Sequence, residues 1–110
     1  MIVNQGENNR GYLLKQHIPH EKLVDFCNKN HIKKLAIFGS SSRGKLRPDS
    51  NIDILVEFEE GYTPGLITFC GMQNELTDMI GREVDLRTPQ DLSRYFRDEV
   101  MKTAEVQYEN

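Results

Sequence analysis

Tryptophan is absent from this 110-residue chain, cysteine occurs twice and proline four times. Two cysteines in separate segments make no disulfide framework, so the fold has to be held by a packed core. Cys27 and Cys70 both fall inside segments of helical pattern and read as buried free thiols. No apolar run approaches the about 18 residues of a membrane-spanning helix. The first residues also lack the basic start and apolar middle of a secretory leader, so a cytoplasmic protein is expected. Positive charge is scarce too. A formal net charge of −3 gives little of the concentrated basic surface with which proteins grip nucleic-acid phosphates, and basic and aromatic residues are not interleaved.

What is present is ordinary globular composition. Hydrophobic residues make up 37% and charged residues 28%, enough for one core, and the length suits a single domain. Residues 1–17 are polar, with Tyr12, Leu13 and Leu14 as the anchor, and are expected to form a partly ordered arm before a domain spanning 18–110. Pro19 suits a first helical position, and Leu23, Phe26 and Cys27 follow on one face until Asn30 and His31 end the segment. Residues 34–38 are a short apolar run stopped by Gly39, the pattern of a central strand covered on both faces.

From 52 to 58 the pattern alternates, placing Ile52, Ile54, Val56 and Phe58 on one face and Asn51, Asp53, Leu55 and Glu57 on the other. Glycine and proline make 59–65 a loop. Leu66, Phe69, Met72, Leu76, Met79 and Ile80 then recur at helical spacing as far as Gly81, a stripe suited to core packing. Val84 and Leu86 alternate with Glu83, Asp85 and Arg87 in a third strand. Thr88-Pro89-Gln90-Asp91 opens a last helix that carries Leu92, Phe96, Val100 and Ala104 at steps of four, after which 105–110 should fray. Such an order describes an α/β layered domain with one small sheet.

Chemistry concentrates at the first two strands. Gly39 lets the chain turn sharply out of a strand, and Ser40 sits where a following helix would expose free N–H groups, an arrangement that favours a phosphate. Arg43 and Arg47 add positive charge nearby. Asn51 and Asp53 on one strand, with Asp85 on another, can converge on a cation that prefers oxygen ligands, as magnesium does.

Gly39-Ser40, ten intervening residues and then Asn51-Ile52-Asp53 resemble the Gly-Ser, ten residues, Asp-x-Asp signature of the minimal nucleotidyltransferases of the DNA polymerase β superfamily. The resemblance extends over about residues 19–104 and includes Arg43-Gly44 and Val84-Asp85-Leu86. It implies an α/β (α+β) polymerase β-like nucleotidyltransferase fold, a small mixed sheet flanked by helices. It also implies two magnesium ions held at positions 51, 53 and 85, with Gly39, Ser40 and Arg43 at the nucleotide triphosphate. Members of this size resemble the antitoxin half of HEPN/MNT toxin–antitoxin pairs, which transfer AMP from ATP to a tyrosine of the HEPN ribonuclease. The implied partners are therefore a HEPN toxin and ATP.

Asn51 departs from that signature, because it stands where the first Asp is expected. An amide oxygen can coordinate a cation but brings no charge and cannot accept a proton from an attacking hydroxyl. The alternative expectation is therefore a catalytically inactive subunit that neutralises its toxin by contact. Asp49 could stand in only if the strand reached back past Ser50, and Pro48 argues for a turn there. His17 and His20 are separated by Ile18-Pro19 and have no third ligand, so they are expected to be surface residues.

Overall fold

The apolar run after His31 and the alternating run after Asn51 pair with each other, and the rest of the chain is arranged around that pair. The computed structural model describes residues 14–39 and 51–110. In chain order these form α1 (His20–Lys29), β1 (Ile32–Ile37), β2 (Ile52–Phe58), α2 (Leu66–Ile80), β3 (Val84–Arg87), α3 (Arg97–Thr103) and β4 (Glu105–Glu109). Two 3-10 turns, Leu14–Gln16 and Pro89–Asp91, precede α1 and α3. The sheet order is β3-β2-β1-β4. β1 lies antiparallel to β2 and β4, whereas β2 and β3 are parallel, and α2 is the crossover that a parallel pair requires. This mixed sheet agrees with the expected fold class.

One face of the sheet carries most of the core. Leu35, Ile37, Ile52, Ile54, Val56, Val84 and Leu86 are buried there against Leu23, Phe26 and Cys27 of α1 and Met72 and Leu76 of α2. Leu14 and Ile18, ahead of α1, are buried in the same cluster, and the Leu14 N–H donates to Oε1 of Gln107 at 2.8 Å. The other face has a smaller apolar patch, in which Ala36, Leu55 and Leu92 are buried with Phe38, Val100, Met101 and Ala104 packed around them. Among the described residues, thin cover on this second face leaves room beside Asp53 and Asp85.

Four expectations need correction. Cys27 is buried, and burial pushes its thiol up to about 12, but Cys70 is exposed. It lies two residues before buried Met72, which turns it to the opposite side of α2. Leu66, expected in the apolar stripe of that helix, is also exposed, as is Ile67 beside it.

The last helix is not continuous from Thr88. Thr88 and Asp91 close a capping box around one 3-10 turn, Leu92 is extended, and α3 starts only at Arg97. The Ser93 hydroxyl accepts the Tyr95 N–H at 3.2 Å, a local bond that competes with helix propagation. Arg97 ties the two pieces together through the carbonyls of Pro89 and Leu92. Finally, residues 105–109 do not fray but form β4, paired with β1 from Ile37↔Glu105 to Lys34↔Glu109. Tyr108 packs against the core from that strand, while Val106 beside it is exposed.

Candidate active site

β2 and β3 run parallel in a register that sets Asp53 directly beside Asp85. Neighbouring strands lie about 4.8 Å apart, and residues paired across them send their side chains to the same face. Both carboxylates therefore rise together from the thinly covered face of the sheet. Each is half-buried, with aspartate entering these strands because the neighbouring residues Ile52, Ile54, Val84 and Leu86 anchor the opposite face in the core.

β3 is an edge strand, and its outward N–H groups are not left to solvent. Val84 donates to Oγ1 of Thr77 at 3.1 Å and Leu86 donates to Oε1 of Gln73 at 2.9 Å, so α2 fixes the strand that carries Asp85. On β2 the Asp53 carbonyl accepts the Phe38 N–H at 3.1 Å, joining the end of β1 to the site. Gly39 follows with φ +68°, in the left-handed region that favours glycine. Ser40 and Arg43, expected at the phosphates, lie outside the described residues, as do Arg47 and Asp49. Asn51 is exposed and directly precedes β2.

The carboxylates open into a cleft of about 260 Å³, whose wall Phe38, Leu92 and Phe96 supply and whose charged rim includes Arg87 and Asp91. Burial lifts the Asp53 carboxyl above the ordinary carboxylate range, the charge of Asp85 adds to that, and Arg87 partly offsets it. Arg87 meets Asp85 edge on, Nε to Oδ1 at 3.1 Å and Nη2 to Oδ2 at 3.2 Å. A second cavity of about 280 Å³ near Glu57, Thr63 and Gln90 lies toward the other end of β2, away from the carboxylate pair.

Two neighbouring carboxylates, one of which resists ionisation first through burial and then through the charge of the other, form an oxygen donor set that fits a hard divalent cation. Asn51 lies within two positions of Asp53 and can add an amide oxygen. Among the described residues, no three His, Cys, Asp or Glu side chains come together in such a way.

The sequence pattern had singled out Asp53, Asp85, Asn51 and Gly39, but not the cleft wall or the supports of β3. Gln73 and Thr77 could have been found as polar residues four apart on α2 facing a short strand. Phe96 could not, because its position depends on the break at Leu92.

The chain matches the family described as polymerase beta, nucleotidyltransferase over residues 21–110. MJ0435 of Methanocaldococcus jannaschii, provisionally named a protein adenylyltransferase, is 34% identical over 83 residues, which are 76% of this chain and 87% of that protein. Protein adenylyltransferase MntA of Thermococcus cleftensis is 40% identical over 55 residues, 50% of this chain and 54% of that one. A solved structure provisionally described as a minimal nucleotidyltransferase superposes with a TM-score of 0.64 at 32% identity, covering 76% of this chain and 84% of its own. A toxin–antitoxin structure with AMP-PNP shares the fold, with a TM-score of 0.67 at 21% identity over 84% of this chain and 75% of that chain. With its carboxylates on adjacent parallel strands and the family match running from α1 to the last residue, the chain belongs to the polymerase beta nucleotidyltransferase family.

Proposed function

We propose that this chain is the antitoxin of a HEPN/MNT toxin–antitoxin pair and transfers AMP from ATP to a tyrosine of the HEPN toxin, at a rate held down by Asn51. The observation that carries the reading is the Asp53–Asp85 register in a member of this family whose relatives are named protein adenylyltransferases. Several structural neighbours are MntA–HepT or HEPN–MNT complexes, one with a tri-AMPylated Shewanella oneidensis HEPN toxin, and they share this fold.

In this reading the tyrosine oxygen bonds to the α-phosphorus of ATP as the bond from that phosphorus to the bridging oxygen breaks, and pyrophosphate leaves. Asp53, Asp85 and the Asn51 amide would hold magnesium, with Gly39, Ser40 and Arg43 at the triphosphate. Magnesium, when bound, lowers the pKa of the attacking hydroxyl and offsets the charge that develops on pyrophosphate. Asn51 cannot accept the hydroxyl proton, which leaves that role to the carboxylates lining the cleft. Phe38, Leu92 and Phe96 supply an apolar wall beside the reacting groups.

Asn51 also favours a second reading, a subunit that neutralises its toxin by contact without chemistry. Intact-mass measurement of the HEPN partner after incubation with this chain, ATP and magnesium separates the two. A mass gain in AMP steps supports transfer, and an unmodified but inhibited partner supports contact alone.

A further inference from the structure

We propose that Arg87 is a latch on Asp85, a guanidinium fork that occupies both carboxylate oxygens until a divalent cation displaces it. This rests on the reading of Asp53 and Asp85 as cation ligands. Asp85 and Arg87 stand two residues apart on β3, so both side chains leave the same face of the sheet and line the same cleft. Their contact is two-pronged, 3.1 Å and 3.2 Å, and uses both oxygens that a cation at Asp53 would need to share. A guanidinium and a dication cannot sit together on one carboxylate without strong repulsion, so loading the site requires the fork to open.

Among the described residues the fork is only partly covered. The Arg87 side chain is 47% exposed, against 34% for Asp85, which makes the pair weak enough to exchange. Asp91, on the rim of the same cleft, is close enough to favour the Arg87 charge and offers the released side chain a second anionic neighbour. The fork closes on Asp85, and Arg87 is a positioning residue and not a ligand.

The test is a Mn2+ titration of the whole chain without ATP, followed by loss of the free-ion electron paramagnetic resonance signal, in the wild type, Arg87→Gln, Arg87→Lys and Asp85→Asn. Removing the fork in Arg87→Gln should tighten Mn2+ binding about threefold to tenfold. Arg87→Lys keeps the charge but loses the planar fork, and should recover at least half of that gain on a logarithmic scale. Asp85→Asn should weaken binding. Equal affinities for wild type and Arg87→Gln, with Asp85→Asn weaker, overturn the latch and leave the carboxylate site standing. Tightening in Arg87→Gln but not in Arg87→Lys reduces the effect to net charge and also overturns it. Failure of all four proteins to bind Mn2+ overturns the latch together with the cation reading beneath it.

Discussion

A Cβ placed on Gly39 would stand 2.8 Å from Oδ2 of Asp53. The turn that leaves β1 and the carboxylate on β2 are therefore pressed together, with the Phe38 N–H bonded to the Asp53 carbonyl one residue earlier. Gly39 is needed twice, once for φ +68° and once for the space its missing side chain leaves to that carboxylate.

Gly39→Ala should consequently damage stability and site together. Holding an L-residue in the left-handed region costs about 1–2 kcal/mol, which for a domain of this size lowers Tm by roughly 5–10 °C. Asp53 must also swing away from the new methyl group, so Mn2+ binding should weaken. Thermal denaturation and the Mn2+ titration read the two effects separately, and an unchanged Tm would show that the turn is not under this constraint.

Asn51→Asp restores a carboxylate at an exposed position directly before β2. If the missing charge limits the reaction, AMP transfer to the HEPN partner should rise at least roughly a hundredfold, worth about 2.7 kcal/mol in the barrier. The measurement is initial rate by intact mass. Equal rates in the two proteins would remove Asn51 from the argument.

Asp53 makes the fold less stable near neutral pH. Its folded pKa is raised above the ordinary 3.8, first by burial and then by Asp85. The folded state therefore holds a proton that the unfolded state has released, and stability falls as pH rises from 3.8 through the raised value. Asp53→Asn removes that penalty. Tm at pH 7 should increase in the variant, and the wild-type decline just above pH 3.8 should flatten, while AMP transfer is lost. A variant less stable than the wild type at pH 7 would mean that the carboxylate is held by favourable contacts that outweigh its burial.

Alternation and punctuation exposed the elements that build the site. Ile52-Asp53-Ile54 shows a polar residue turned from the core between two apolar ones, and Gly39 and Gly81 end their segments. Register was not legible, because the pairing of Asp53 with Asp85 depends on how α2 seats β3 through Gln73 and Thr77. The break at Leu92 was hidden as well. Steps of four from Leu92 to Ala104 fit a helix, yet the same side chains pack on Ala36 and Leu55 from a 3-10 turn and a short helix, since both arrangements bury them. At the C-terminus a strand of alternating Val106 and Tyr108 was too short and polar to stand out without its partner β1.

That partner makes the end of the chain structural. Deleting residues 105–110 would strip the β4 edge from β1, the Tyr108 side chain from the core and the Gln107 amide from the Leu14 N–H. Tm should fall by more than roughly 10 °C, with soluble aggregates in size exclusion as the β1 edge is uncovered. A truncated chain that melts within about 2 °C of the full one would show that β4 contributes little.

The parallel ladder between β2 and β3 has a mechanical consequence. Backbone hydrogen bonds between the paired strands set how far apart the Cα atoms of the two aspartates stand. Drift in sequence alters what is attached to this ruler more readily than its gradations. Change at the site thereby falls mainly on side chains that hang from it, such as the amide at 51 and the guanidinium at 87.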